Sequence, residues 1–263
     1  MVTRTARPPA TLQSFVLHRY DWSESSLILD LFTREQGRLA VAAKGVKRPY
    51  SQLRPVLLPF QRLHVTLARG RANADDAAPP EVQTLRAAEW AGGAAMLTGA
   101  ALFAGFHCNE LLMKLLARHD PHPRLFDAYA QTLPALAARD DASVQAALRA
   151  FEFMLLKEVG VLPDLSLVTL TQMPVAERDR MAMLPEAGVT AAQPGDPVLS
   201  GSVLIGLQAA LAHGSIAALS QACAVALPEL KAALRTLLHY HLGTPVMRTR
   251  QVMIDLQTLA TSA

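Results

Sequence analysis

Residues 15–46 read FVLHRYDWSESSLILDLFTREQGRLAVAAKGV, three apolar runs separated by two polar turns. The runs cover residues 15–20, 27–32 and 38–46, and each is rich in β-branched or other apolar side chains. The turns between them carry Asp, Ser, Glu and Gly, residues that favour turns over regular structure. Short runs bounded in this way are typical of β-strands. We therefore expect the chain to open with three strands.

Two further strands are expected before the composition changes. Residues 63–67, LHVTL, alternate apolar and polar side chains as a half-buried strand does, and residues 81–86 form a fifth run. Five short strands at this spacing fit a small closed barrel or a sandwich. The five-stranded OB-fold, a barrel that commonly holds single-stranded nucleic acid, is one such architecture.

The chain after residue 87 is predicted to be helical, because Ala, Leu and Met dominate it and favour helices. Residues 169–201 carry four prolines and three glycines, so we expect mostly loop there, with room for a hairpin. The expected domains are residues 1–86 and residues 87–263, with a loop-rich insertion near 163–202. The expected helices cover residues 91–117, 124–136, 141–159, 204–213, 215–226, 228–241 and 249–259.

Positive charge is concentrated near the N-terminus. Residues 36–74 contain eight Lys and Arg and no Asp or Glu, whereas the whole chain of 263 residues has a formal charge of only +3. Residues 1–90 hold 13 basic against 8 acidic side chains, a charge of +5, and the rest hold 12 against 14, a charge of −2. The first part is therefore a candidate for binding a polyanion. A solvated basic face that binds nothing is the alternative.

Catalytic and metal-binding motifs are scarce in this sequence. Lys44-Gly45 lacks the upstream glycine and the following Ser or Thr of a phosphate-binding loop, and no Gly-x-Ser-x-Gly motif occurs. Two cysteines, Cys108 and Cys223, are too few for a four-thiolate zinc site, and their apolar surroundings predict buried, reduced thiols. We therefore expect no catalytic residue, no cofactor and no metal.

The bulk composition predicts a cytoplasmic protein with a sizeable core. Hydrophobic residues make up 51% of the chain and charged residues 18%, which argues against disorder. The first ten residues lack the apolar segment of a signal peptide. The most apolar window, residues 91–116, is interrupted by charged and polar side chains, so we expect no membrane association.

Aromatic and basic side chains alternate along the predicted barrel, where the aromatics Tyr20, Trp22 and Tyr50 lie among Arg19, Arg38, Lys44, Lys47 and Arg48. Cations neutralise phosphates, and aromatic rings stack on bases, so this mixture suits nucleic-acid binding. The same aromatics would serve equally well as barrel core or as packing within turns. The pattern therefore indicates a candidate nucleic-acid interface.

Several ordered motifs resemble the RecO family of bacterial recombination mediators. The first are VLHRYDWSESSLIL at residues 16–29, FTREQGR at 32–38 and AKGVKR at 43–48. Others follow at residues 58–60, 81–86, 109–112, 120–126, 149–156 and 234–262. The resemblance therefore extends over nearly the whole chain.

The resemblance implies an α+β protein, an N-terminal five-stranded OB-fold β-barrel followed by an all-α domain, without enzymatic turnover. RecO-like proteins bind single- and double-stranded DNA and anneal complementary strands. With RecR, and in many bacteria RecF, they load RecA onto DNA coated by single-strand-binding protein (SSB). Such a protein is expected in the cytoplasm, associated with the nucleoid.

Two features of the helical part follow from the same resemblance. Many members carry a four-cysteine zinc site after the Phe-Glu helix, but residues 163–173 contain no cysteine here. We therefore expect no zinc, and a hairpin region held by packing alone. The acidic, Phe-ended SSB tail docks on the helical domain in the family. Arg149, at the position before Phe-Glu, is the expected contact, with an exposed helix arginine as the alternative.

The mechanism we expect is electrostatic. A barrel that neutralises phosphates and leaves base edges free would allow two strands to pair. The expected DNA contacts are Arg38, Lys44, Lys47 and Arg48, followed by Arg34, Arg54 and Arg71. Two other classes stay open on the residues themselves: a nucleic-acid-modifying enzyme that uses the barrel as a substrate clamp, and an adaptor whose basic segment meets an acidic protein.

Overall fold

The computed structural model describes residues 11–68, 81–92, 96–138, 140–243, 247–249, 251–252 and 254–255. The strands are β1 (Thr11–Asp21), β2 (Leu27–Thr33), β3 (Gly37–Ala43), β4 (Arg62–Leu67), β5 (Val82–Trp90), β6 (Arg180–Leu184), β7 (Gly188–Ala191) and β8 (Leu199–Ser200). The helices are α1 (Gly99–Leu115), α2 (Pro123–Leu136), α3 (Asp141–Glu158), α4 (Gly201–His213), α5 (Ile216–Ala224) and α6 (Leu227–Leu242). The predicted order of five strands followed by helices is confirmed.

The first five strands form a closed barrel in the order β1-β2-β3-β5-β4. Neighbouring strands are antiparallel except β3 and β5, which pair in parallel between residues 40–42 and 82–84. Alternate positions point inward, and the core includes Leu29 and Leu31 of β2, Leu39 and Val41 of β3, and Leu63 and Val65 of β4. The barrel rather than the sandwich, and with it the predicted α+β fold class, is therefore confirmed.

Residues 116–126 belong to the same compact unit as the five-stranded barrel. Asp30 of β2 is buried, and the guanidinium of Arg38 binds both its carboxylate oxygens at 2.8 and 2.9 Å. Arg38 also donates to the carbonyl of Leu116 at 3.2 Å, and its own carbonyl accepts from the N–H of His119. Phe126 packs its ring against Phe15 and Phe32. The segment is thus fastened to the outer face of β1–β3.

The β2–β3 turn approaches this segment most closely at Gly37. Its φ is +68°, and a Cβ added there would lie 2.0 Å from the carbonyl oxygen of Asp120. Gly45, just beyond β3, has a similar φ of +71°, but a Cβ there would meet only the side chain of Arg48, at 3.6 Å. The two glycines therefore share a backbone conformation and differ in the space around them.

The second compact unit comprises residues 95–115 and 127–263. Its central helix is α3, in which every residue from 146 to 156 is buried, so neighbouring helices surround it on all sides. Asp140 caps α3 by accepting from the N–H groups of Ala142 and Ser143. No single described helix has the length and apolar composition to cross a bilayer; α5 and α6 satisfy that test together, with a bend of 114° between them.

The loop-rich insertion contains the hairpin β6–β7, with β8 on the other side of β6. The expectation that packing alone holds this region is wrong, because hydrogen bonds contribute. Thr169 donates its N–H to the carbonyl of Val189, and its hydroxyl accepts from the N–H of Val189 at 2.8 Å. The side-chain oxygen of Gln208 in α4 accepts from Leu165 at 3.0 Å.

Glu110 of α1 anchors the chain beyond α6. Its carboxylate accepts from the N–H groups of Arg248 and Thr249 at 2.9 Å each, and from the Thr249 hydroxyl at 2.6 Å. Burial by itself would raise the pKa of Glu110, but these donors and the Lys114 ammonium outweigh it and hold that pKa below its ordinary value. The charged carboxylate therefore stabilises the folded state.

Gly37→Ala is expected to destabilise the protein more than Gly45→Ala does. The left-handed backbone costs either alanine about 1–2 kcal/mol. At Gly37 the new methyl group must also displace backbone, so the total loss should reach about 3 kcal/mol or more. Urea unfolding followed by circular dichroism measures both variants. Equal losses would show that Asp120 does not constrain the turn.

Glu110→Gln is expected to make stability less sensitive to acid. The folded-state pKa of Glu110 is lowered, so its contribution is present above the ordinary value of 4.5 and is lost as the pH falls below it. Free energies of unfolding at pH 7, 5, 4 and 3 should therefore fall less steeply for Glu110→Gln than for the unmodified protein. Glu186→Gln, an exposed turn residue, is the control. An unchanged pH dependence in Glu110→Gln would contradict the anchor.

Candidate nucleic-acid interface

One end of the barrel is built from two connections that meet. Residues 22–26 join β1 to β2, and residues 44–61 join β3 to β4. The N–H of Lys47 donates to the carbonyl of Ser25 at 3.0 Å, and the N–H of Gly45 to the hydroxyl of Ser26 at 3.4 Å. The two connections therefore form one continuous surface, which we call the loop end of the barrel.

The longer connection is anchored by apolar side chains and exposes cations. Val46 and Leu57 are buried in the barrel core, while successive turns bond Arg48 to Gly45, Ser51 to Arg48 and Arg54 to Ser51. These turns direct the side chains of Lys44, Arg48 and Arg54 to solvent. None of these three cations forms an ion pair with another described residue. Their charges are therefore available to an external anion.

Lys47 bridges the two connections through its side chain. Its ammonium donates to the carbonyl of Ser23 at 2.9 Å and pairs with the carboxylate of Asp21 at 2.5 Å. The Asp21 side chain is 85% exposed, so solvent screens the pair and the pair adds little stability. An incoming phosphate would compete with Asp21 at low cost.

Arg34 and Arg38 lie at the opposite end of the barrel, beside the β2–β3 turn. The seven residues of β3 separate the two ends by roughly 20 Å at the usual rise per residue. The guanidinium of Arg38 already binds the carboxylate of Asp30 and the carbonyl of Leu116. Arg34 is half-buried, and its backbone N–H donates to the carbonyl of Gln13. Arg71 lies outside the described residues. The structure thus groups Lys44, Lys47, Arg48 and Arg54 and separates Arg34 and Arg38 from them.

Arg19 joins the loop end, although the sequence placed it only among the cations near the aromatics and not among the expected DNA contacts. The β1–β2 register shifts between Val16 and His18, and beyond this irregularity Arg19 pairs with Leu29, whose side chain is in the core. Strict alternation from Val16 would have placed His18 inward and Arg19 outward. No residue in this stretch signals the shift, so the sequence could not have revealed that Arg19, although exposed, shares a side of β1 with the core residues.

Three aromatic side chains surround the same end. Tyr20 is 45% exposed, Trp22 is 55% exposed and Tyr50 is 93% exposed, so the alternative that they form barrel core is wrong. Tyr20 contacts the ring of His18 edge-on, with centroids 4.4 Å apart. Exposed rings beside exposed cations are the combination that single-stranded nucleic acid requires.

Arg149 is located in the helical unit and is buried, with a side chain 7% exposed. Its guanidinium lies 2.9 Å from a carboxylate oxygen of Glu152, and His107 reaches the same oxygen at 3.0 Å. The alternative of an exposed helix arginine is therefore wrong. A contact with the SSB tail stays a prediction, and burial weighs against it because a tail would have to displace Glu152.

Both cysteines are buried near this ion pair, as predicted. Burial raises the pKa of the Cys108 thiol far above its usual range and that of Cys223 to about 12. Neither thiol is therefore a nucleophile at neutral pH. Among the described residues, no group of three His, Cys, Asp or Glu side chains is placed to hold a metal ion.

Arg149→Met is expected to lower the free energy of unfolding by about 3–5 kcal/mol, because it leaves the buried carboxylate of Glu152 without its guanidinium partner. Arg235→Met, an exposed position in α6, should change stability by less than about 0.5 kcal/mol. Urea unfolding measures both. Unchanged stability in Arg149→Met, together with lost binding of an SSB tail peptide, would instead support the predicted role as a tail contact.

Comparison with known proteins places these features in a family. The family model described as "Recombination protein O N terminal" matches residues 9–75, and "Recombination protein O C terminal" matches residues 96–250. The chain is 51% identical over 248 residues to a protein of Polaromonas naphthalenivorans named DNA repair protein RecO, covering 94% of this chain and 96% of that one. Proteins of the same name from Albidiferax ferrireducens and Verminephrobacter eiseniae are each 48% identical, over 94% and 97% of this chain and 96% and 98% of theirs.

Proposed function

This chain belongs to the RecO family of DNA repair proteins, and from that premise we propose that the loop end of its barrel binds DNA. Membership of the family supports a role in recombination repair. The observation that carries the proposal is the exposed group Lys44, Arg48 and Arg54, joined by Lys47, beside Tyr20, Trp22 and Tyr50. A polyanion with aromatic bases is the ligand that this mixture suits.

The proposed mechanism is charge neutralisation without bond chemistry. Cations at the loop end bind the sugar–phosphate backbone of single- and double-stranded DNA, and the pairing edges of the bases stay free. Because the repulsion between two phosphate backbones falls when their charges are neutralised, complementary strands anneal. The aromatic side chains stack on bases from a face that leaves their hydrogen-bonding edges accessible.

The proposed contacts differ in how much the structure supports them. Lys44, Lys47, Arg48 and Arg54 come first because they share one exposed surface. Arg34 and Arg38 would meet a strand that ran along the barrel to its other end, and Arg38 would have to leave Asp30. Arg71 stays a prediction from the sequence, because it lies outside the described residues.

The wider role follows from the family resemblance. We propose that the protein acts with RecR, and in some settings RecF, to load RecA onto SSB-coated DNA in the cytoplasm. The helical unit would receive the SSB tail. Binding of the single strand by the barrel would precede loading, because RecA needs DNA from which SSB has been displaced.

The double variant Lys47→Ala/Arg48→Ala is expected to weaken binding of a single-stranded oligonucleotide and to flatten its salt dependence. Each lost phosphate contact should reduce the slope of log K against log salt by about 0.7, so the pair should remove about 1.4. Fluorescence anisotropy titrations at four salt concentrations measure both quantities. Lys231→Ala/Arg235→Ala, two exposed cations of α6, is the matched control.

The possible results test two claims separately: that Lys47 and Arg48 contact phosphates, and that the barrel binds DNA. If the double variant keeps the affinity and slope of the unmodified protein, Lys47 and Arg48 are not phosphate contacts. If the unmodified protein binds no oligonucleotide even in dilute buffer, DNA binding by the barrel is wrong altogether. Equal weakening in the α6 control would show that total charge, rather than the loop end, governs binding.

A further inference from the structure

The loop end encloses a cavity of about 230 Å³, which we call the mouth cavity. Its lining is part apolar and part cationic, and consists of Arg19, Leu27, Val46, Lys47, Arg54 and Leu57. Val46 and Leu57 lie beneath it and are each only 1% exposed, so the half-buried side chain of Leu27 supplies most of its apolar surface. No carboxylate among the described residues lines the cavity. The cavity therefore combines apolar side chains with three cations, of which Lys47 shares its charge with the exposed carboxylate of Asp21.

Each cation reaches the mouth cavity by a different structural route. The register shift in β1 places Arg19 on the side of the strand that faces the core, at the open end of the barrel where its side chain stays exposed. One of its terminal nitrogens donates to the carbonyl of Leu57 at 3.4 Å. This bond holds the guanidinium at the wall, and the other guanidinium nitrogens bond to no described residue. Lys47 is positioned by the carbonyl of Ser23, and Arg54 by the turn that begins at Ser51. Three separate segments thus direct positive charge to one place.

We propose that the mouth cavity binds one phosphoryl group of a DNA single strand, an inference that rests on the proposed function. A phosphoryl group offers several oxygens, and guanidinium groups bind such oxygens two at a time. The carbon face of the adjoining deoxyribose packs on the half-buried side chain of Leu27. A cavity of about 230 Å³ has room for a phosphoryl group and is too small for a duplex to enter. Arg19 is the residue that this proposal adds to the interface.

The surroundings of the cavity favour a nucleic acid over an acidic peptide. Tyr20, Trp22 and Tyr50 expose ring faces on which neighbouring bases stack. Lys44 and Arg48 are exposed and can bind the phosphates that precede and follow the one in the cavity. A peptide carboxylate would use the cations and leave the rings without partners. The mouth cavity therefore binds one phosphate, and the exposed rings and cations bind the bases and phosphates of the adjoining nucleotides.

The test compares short oligothymidines that carry either a 5′-phosphate or a 5′-hydroxyl. Anisotropy titrations at low salt use the full-length protein and the single variants Arg19→Gln, Arg54→Gln and Arg86→Gln. Arg86 is exposed on β5 outside the cavity, so its variant removes one charge from the same barrel. Arg19→Gln and Arg54→Gln should each weaken binding about 10-fold or more, the usual loss for a charged hydrogen bond, and Arg86→Gln about 2-fold or less.

Two controls separate binding from folding. Arg54 is exposed, so Arg54→Gln should keep the melting temperature of the unmodified protein. Arg19→Lys retains the charge and loses the paired geometry, so it should recover part of the affinity that Arg19→Gln loses. A merely structural arginine would show no such graded recovery in affinity at constant melting temperature.

The two oligonucleotides identify which phosphoryl group is bound. A terminal phosphate in the cavity would make the 5′-phosphate strand bind more tightly, and Arg19→Gln would abolish that difference. An internal phosphodiester would give equal affinities, both lowered by the same factor in Arg19→Gln. The proposal is overturned if Arg19→Gln and Arg54→Gln bind both strands as Arg86→Gln does, and the proposed function then survives. Failure of the unmodified protein to bind either strand would overturn both.

Discussion

Parallel pairing between β3 and β5 closes the barrel, and the position of the exposed cations follows from that closure. Because β5 occupies the place beside β3, β4 must cross to pair with β1. The connection of residues 44–61 is therefore obliged to pass over the end of the barrel. Val46 and Leu57 insert into the core and hold it there, and the polar side chains between them remain in solvent. A basic loop held in this way presents charge without the entropic cost of ordering a free loop.

The basic residues of this chain serve two different physical purposes. Arg38 and Arg149 are largely buried, and each is paired with a carboxylate that is itself removed from water, Asp30 in the barrel and Glu152 in α3. Breaking such a pair leaves an uncompensated buried charge, so the role of these arginines is to stabilise the folded state. Lys44, Arg48 and Arg54 are exposed and are therefore available to a ligand. Residue type and position in the chain do not distinguish the two groups; burial does.

The sequence predicted the secondary structure well because its signals are local. Turn residues bounded the strands, and the alternation in residues 63–67 correctly indicated β4. Asp140 caps α3, and Gly160, with its φ of +77°, follows the end of that helix; Asp and Gly are residue types that commonly mark these two positions. The DNA contacts stay predictions. What the sequence did not show is that Arg19 shares the loop end with Lys47 and Arg54, and that Arg38 lies at the other end of the barrel.

The amino-acid sequence by itself determined the five strands, the helices after them, the concentration of positive charge, and the family motifs. These depend on interactions between near neighbours or on residue identity, so they are visible without coordinates. Only the tertiary structure decided which cations share a surface, that Arg19 faces the barrel mouth, and that Arg149 is paired inside the helical unit. These outcomes depend on a register shift and on partners brought together by folding, such as Leu57 for Arg19 and Leu116 for Arg38, 38 and 78 residues away. Packing sets such contacts, and no local pattern records them.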